Sequence, residues 1–404
     1  MQRLTRLDNG VRIVSRELPS VETAAVGLHC TAGARHEAER ENGLAHLFEH
    51  MVFKGAGGRS ARQIAEAVED VGGDLNAMTG REGTVFSART LAEDVPLGLD
   101  LIADMILKPH FDAAELEREK QVVLQELGEV WDTPGDLVYD ELQEAAYPAQ
   151  SLGRSILGDK ASIHSLTVDD LFAWRDRQYG PDELIVVAAG AVEHDRIVDL
   201  AARRFGDLAP RPAATHAPAA YSGGKTLRTR PTEQAHIVVG WEGPGVMSKG
   251  ILAARLFGEA VGGGMSSRLF QALREDRGLA YTVYATHTPY SDTGLFTAYA
   301  ATPREDAAAA LDLMETEIAG AADGLTQPEL DRARALAKSG LLMALESCEG
   351  QASYCARQLL VHGRLVEPAE VVADIEAITL DQVQAAGQKL LASPKVISVV
   401  GAEL

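Results

Sequence analysis

Gly43-Leu44-Ala45-His46-Leu47-Phe48-Glu49-His50-Met51-Val52-Phe53-Lys54-Gly55 holds two histidines four apart, with a glutamate immediately before the second. On a helix, positions i and i+4 lie on one face, so both imidazoles can approach one metal ion. Glu49 follows His46 by three residues and shares that side. A carboxylate beside a metal-activated water is what general-base hydrolysis requires. His46 to His50 therefore read as the inverted zinc-hydrolase motif H-x-x-E-H, and hydrolysis is the leading reading.

Two histidines on a helix face are also commonplace, so the third ligand matters. Zinc in a catalytic site needs three protein ligands and one position left for water. The helix expected over Ala113 to Trp131 offers Glu115, Glu117, Glu119, Glu126 and Glu129. Glu119 and Glu126 are seven apart, two turns on one face, so one can ligate while the other holds a ligand from behind. Spacing does not choose between them, and a solvated helix face is the plain alternative for all five.

The chain of 404 residues is too long for one ordinary core, and two domains of about 200 residues each are the natural division. No apolar run reaches the roughly 18 residues of a membrane span. The basic start, Met1-Gln2-Arg3-Leu4-Thr5-Arg6, lacks the apolar core of a signal peptide and is too short for a transit peptide. A cytoplasmic location is the expectation. Cys30, Cys348 and Cys355 show no C-x-x-C spacing and fit reduced thiols. The formal charge of −21 argues against nucleic acid or an anionic membrane as partner. It serves solubility, or else a field that favours basic peptides.

The chain also contains a duplication. Ile163-His164-Ser165-Leu166-Thr167-Val168-Asp169-Asp170-Leu171 and the apolar strand Leu184 to Gly190 return as Ile375-Glu376-Ala377-Ile378-Thr379-Leu380-Asp381-Gln382-Val383 and Val396 to Gly401. The offsets are 212 residues from Ile163 to Ile375 and 211 from Gly190 to Gly401. A second echo pairs Phe111 to Arg118 with Leu325 to Arg332, at an offset of 214. Leu208 to Gly224, rich in Pro, Ala and Gly, reads as the linker. Within each half, strands and helices do not alternate regularly, which predicts an α+β fold with mainly antiparallel sheets. Val11–Leu18 and Ala24–Thr31 read as paired strands. Ser60 opens a helix with Gln63 as capping partner, and Asp74–Met78 with Thr84–Arg89 form a hairpin.

Gly43 to Gly55, Ala32-Gly33-Ala34-Arg35-His36-Glu37 upstream, and Asp74-Leu75-Asn76-Ala77-Met78-Thr79-Gly80-Arg81-Glu82-Gly83-Thr84-Val85 downstream together resemble the family of pitrilysin, insulysin and mitochondrial processing peptidase. The resemblance spans essentially the whole chain. It implies Glu126 as third ligand beside His46 and His50, with Glu119 supporting from behind. It implies Glu49 as the general base, and one Zn2+ per chain. The duplicated half has lost the set: His46, Glu49 and His50 map to Arg255, Gly258 and Glu259, and Glu119 and Glu126 to Ala333 and Gly340. The resulting division is a zinc-bearing domain over 1–208, a linker over 209–228 and a metal-free domain over 229–404.

In Leu273-Arg274-Glu275-Asp276-Arg277-Gly278-Leu279-Ala280-Tyr281, a short helix from Arg268 is expected to lead into a strand. Arg274 and Tyr281 match the family's Arg/Tyr pair, donors to a carbonyl or a developing oxyanion. Read alone, they are a surface arginine and a half-buried strand tyrosine. Arg277 and Tyr284 are weaker candidates. The resemblance further implies that the strand at Asn76 and Ala77 holds an extended peptide by main-chain pairing. Phe53 either lines the pocket beyond the scissile bond or packs as a core aromatic. Full-length relatives join two such halves into a clamshell, so this chain is expected to form a homodimer, with Arg274 and Tyr281 reaching the partner's zinc site. A zinc endopeptidase acting on unfolded peptides is the expectation. A non-proteolytic scaffold subunit and a zinc hydrolase of small amides are the alternatives.

Overall fold

The structure is a computed structural model that describes residues 2–213 and 215–404. The strands of the first half are β1 (Gln2–Arg6), β2 (Arg12–Glu17), β3 (Thr23–Cys30), the short pair β4 (Gly55–Ala56) and β5 (Arg59–Ser60), β6 (Asp74–Thr79), β7 (Thr84–Leu91) and β8 (Leu184–Gly190). Its helices are α1 (Leu44–Val52), α2 (Ala61–Glu69), α3 (Val95–Leu107), α4 (Ala113–Asp132), α5 (Pro134–Ala146), α6 (Lys160–Ser165), α7 (Val168–Gln178) and α8 (His194–Phe205). The second half adds β9 (Gly224–Arg228), β10 (Gln234–Gly243), β11 (Thr282–Pro289), β12 (Gly294–Pro303) and β13 (Val396–Val400). Its helices are α9 (Ile251–Gly262), α10 (Ala307–Gly324), α11 (Gln327–Ala344), α12 (Cys348–His362), α13 (Pro368–Ala377) and α14 (Leu380–Leu391).

These elements build two similar α+β units. The first sheet runs β1-β2-β8-β3-β7-β6 and the second β11-β12-β10-β13-β9. Listed from the hairpin edge, β6-β7-β3-β8-β2 and β11-β12-β10-β13-β9 are the same arrangement, antiparallel except for one parallel pair, β8 with β2 and β13 with β9. The repeat seen as an offset near 212 is thus a repeated sheet. β1 is an added strand of the first sheet, paired antiparallel with β2; its mixed polar sequence gave no alternation to reveal it. β9 occupies the last five positions of the expected linker, which also includes Ala214, outside the described residues.

The compact units interleave along the chain. One gathers the chain up to Leu127, Ser155–Ala217 and Ala344–Val366, and the other Gly128–Arg154, Pro218–Met343 and Glu367–Leu404. Contiguous domains bounded at 208 and 229 differ from this in two segments, and packing supplies the reason. β8 is buried at every position, so both faces of the first sheet need cover. One face carries α1 and α3 on a core that includes Leu28, Phe48 and Phe86. The other is covered by α12, whose Ala352, Cys355, Ala356 and Leu359 meet Val14, Ala25, Ile185, Val187 and Ala189. In the second unit α5 does the same, with Leu137, Val138 and Leu142 against Val238, Val396 and Val400. Each sheet therefore takes one covering helix from the other half of the sequence.

Around the motif, local rules hold. Ser60 Oγ accepts from the Gln63 amide and Gln63 Oε1 from the Ser60 amide, starting α2 with the expected reciprocal cap. Two tight approaches make glycine necessary nearby. Gly43, with φ of +90°, opens α1 where a Cβ would lie 2.6 Å from Ile163. Gly33 lets its segment touch the β6–β7 turn, where a Cβ would stand 2.3 Å from the Gly80 carbonyl oxygen.

Candidate metal centre

α1 divides into two faces. Leu44, Ala45, Leu47, Phe48, Met51 and Val52 are buried in the core, with the Phe48 ring stacked on Tyr179 at 4.9 Å. His46, Glu49 and His50 lie half-buried on the remaining face. A glycine at the start of α1 offers no side-chain cap, and Glu37 supplies it from outside. The Gly43 and Ala45 amides donate to the two Glu37 carboxylate oxygens at 3.0 and 2.7 Å. A buried carboxylate at a helix N-terminus satisfies orphan amides and suits the helix dipole. This residue precedes the helix by too many positions for a capping pattern to reveal it.

α4 brings Glu126 and Glu119 to the histidines. His46 Nε2 stands 3.8 Å from Glu126 Oε2, and His50 Nε2 stands 3.6 Å from Glu126 Oε1. These gaps are too long for good hydrogen bonds. They approach the roughly 3.3–3.6 Å between two ligands held on a tetrahedral zinc by bonds of about 2.0–2.2 Å. One ligand atom from each of His46, His50 and Glu126 falls within 4.8 Å of the others, the one such group of metal-binding side chains among the described residues. Burial, with the neighbouring His50, lowers the His46 pKa to about 4, which leaves the imidazole neutral as a metal ligand must be. One Glu49 oxygen is buried on the same face with no hydrogen-bond partner. The donor set and this unpartnered oxygen fit a zinc ion with a base beside it.

Behind His50, its Nδ1 lies 3.0 Å from Glu119 Oε2, while the other Glu119 oxygen pairs with Lys54 Nζ at 2.8 Å. A carboxylate on the far nitrogen of a ligating histidine fixes both tautomer and ring orientation. Of the two glutamates that spacing left open, Glu126 thus faces both Nε2 atoms and Glu119 faces the far side of His50. The aligned positions of the second unit carry Arg255, Gly258, Glu259, Ala333 and Gly340, with Ala333 buried in the core.

The other sequence candidates divide. β6 is the free edge of the first sheet, and Thr79 at its end donates to the Ala45 carbonyl of α1 at 3.4 Å. Asn76 is exposed, and its Oδ1 accepts from the Ala77 amide at 2.8 Å, so the side chain already serves the strand's own backbone. Phe53 closes α1 and packs half-buried against the core. Arg274 and Tyr281 belong to the second unit. The Arg274 guanidinium lies between two rings, 4.8 Å from the Phe270 centroid and 4.5 Å from that of Tyr281. The helix expected from Arg268 begins there and continues as a π-helix over Phe270–Asp276, and Tyr281 is 73% exposed just before β11. Arg277 is exposed. Tyr284 is engaged elsewhere, receiving a hydrogen bond from Tyr139 at 2.9 Å and stacking on Tyr299.

Residues 12–160 match the family described as Insulinase (Peptidase family M16), and residues 165–336 match the Peptidase M16 inactive domain. A protein of Rickettsia felis named as an uncharacterized zinc protease is 34% identical over 98% of this chain and 97% of its own length. The zinc protease YmxG of Bacillus subtilis, named in the same way, is 35% identical over 97% and 96%. Among solved structures, the peptidase M16 inactive domain from Pseudomonas fluorescens superposes with a TM-score of 0.92 at 25% identity, covering 100% of this chain and 98% of that one. A Helicobacter pylori protease shares the fold, with a TM-score of 0.92 at 21% identity over 99% of both chains.

Proposed function

The chain belongs to peptidase family M16, and from that premise we propose that it is a zinc endopeptidase that cleaves unfolded peptides, with one zinc per chain. The carrying observation is the convergence of His46, His50 and Glu126 beside the unpartnered oxygen of Glu49. Zinc, when bound, supplies a Lewis acid that polarises a water molecule and the scissile carbonyl. Glu49 accepts the proton of the attacking water and passes it to the leaving amine. Glu119 holds His50 in register while this happens. The β6 edge pairs with the peptide main chain through Ala77, and Asn76 exchanges its bond to the Ala77 amide for one to the peptide. Arg274 and Tyr281 donate to the carbonyl oxygen as charge develops there.

These last two residues act, in this reading, on the zinc site of a second copy, so that the working enzyme is a homodimer around a closed chamber. The exposure of Tyr281 and the clamping of Arg274 between rings support a pair presented outward. Three free cysteines suit a reducing compartment, and we place the activity in the cytoplasm.

Zinc content and cleavage of a fluorogenic peptide panel test the proposal. Glu49→Gln is expected to keep its zinc and lose about two to four orders of magnitude in rate. Zinc bound by a wild type that cleaves no peptide would favour the scaffold subunit instead. Equal rates for wild type and Glu49→Gln would remove Glu49 as base.

A further inference from the structure

Lys54 completes the turn that closes α1, its amide donating to the Met51 carbonyl at 3.1 Å. Its backbone therefore lies just past the C-terminal end of that helix. From there its ammonium reaches Glu119 Oε1 at 2.8 Å, while Glu119 Oε2 faces His50 Nδ1 at 3.0 Å. The Glu119 side chain is only 7% exposed. Glu115 also lies in the field of Lys54 and is itself bonded to Arg118. We propose that Lys54 is a positioning residue of the metal centre, clamping the carboxylate that orients His50. The inference rests on reading His46, His50 and Glu126 as the metal ligands.

The physical argument is one of shared constraint. A buried carboxylate with partners on both oxygens has one orientation, whereas with one partner removed it carries an unmet acceptor. It then relaxes by turning away from His50 or by drawing in water. Either response frees the imidazole, whose Nε2 must point toward Glu126 to share a metal with it. Losing an outer partner of this kind weakens metal binding by about 10–100-fold. Arginine keeps the charge but replaces a compact ammonium with a planar fork, so it restores most of the clamp.

Zinc affinity of the full-length chain, measured by competition with a chromogenic chelator, reads this directly and without reference to peptide cleavage. Lys54→Met is expected to bind zinc about 10–100-fold more weakly, and Lys54→Arg within roughly threefold of wild type. Lys54→Met combined with Glu119→Gln is expected to be no weaker than Glu119→Gln alone, because Lys54 acts through that carboxylate. Lys54→Gln replaces Lys54→Met if the latter does not fold. Wild-type affinity in Lys54→Met alongside lost binding in His50→Asn overturns the role of Lys54 and leaves the metal centre standing. Additive losses in the double variant overturn it too, since Lys54 would then act independently of Glu119. Wild-type affinity in His50→Asn overturns both readings.

Discussion

Several histidines of this chain are partly buried, and their titration links single residues to stability. Burial lowers the pKa of His29 on β3 and of His287 on β11 to about 4. In the unfolded chain the same groups take up a proton near pH 6.5. Between those values the unfolded state binds more protons, so both residues contribute full stability above about pH 6.5 and lose it progressively down to pH 4. Urea midpoints are therefore expected to fall steadily as pH is lowered from 7 to 5. His29→Gln, which cannot take the proton, is expected to show a shallower decline, and an unchanged slope would count against the argument. At this scale the sequence was most informative where chemistry is local. The spacing of His46, Glu49 and His50 read directly as one helix face. Lys54 and Glu37 were opaque, because each acts on a partner that only the folded chain brings near, 65 residues away for Glu119 and six to eight for the amides of α1.

At the scale of elements, the segment Gly33–Glu37 ties α1 to the edge hairpin. Glu37 caps α1, while the Ala34 and Arg35 amides donate to the Gly80 and Arg81 carbonyls. The buried Arg35 guanidinium pairs with Glu82 in the same turn at 2.5 Å. A methyl group on Gly33 would meet backbone on both arms of that turn, so the hairpin must move to admit it. Gly33→Ala is expected to cost about 1–3 kcal/mol, read as a lowered urea midpoint with unchanged m-value. No loss would mean that the turn yields freely. Hairpin, capped α2 and amphipathic α1 were all legible, since their turn residues and periodicities are written into consecutive positions. β1 was not, for its sequence has no periodic signature and its place depends on β2; of the helix expected from Arg268, only its π form over Phe270–Asp276 was hidden.

For the whole molecule, the proposal that two copies share each site has a distinctive consequence. Glu49→Gln and Arg274→Ala chains are each expected to be nearly inactive as homodimers. Mixed in equal amounts and allowed to exchange, they form hybrid dimers in which one site draws an intact Glu49 from one chain and an intact Arg274 from the other. Recovery of about one quarter of the wild-type rate is expected from random pairing in a symmetric dimer. Recovery of none would place both residues of a working site in a single chain. The duplication was visible as an offset, but the exchange of covering helices was not, because amphipathic helices such as α5 and α12 reveal which face they bury and not which sheet receives it.

That exchange sets an order of events during synthesis. The face of the first sheet made by Val14, Ala25, Ile185, Val187 and Ala189 is complete once Gly190 has been added, yet its cover, α12, ends at His362. At translation rates of 5–20 residues per second the apolar face waits roughly ten to thirty seconds for its own helix. A nascent chain halted before Cys348 would display that surface to any chaperone near the ribosome exit, and the first unit cannot close until the chain has passed His362.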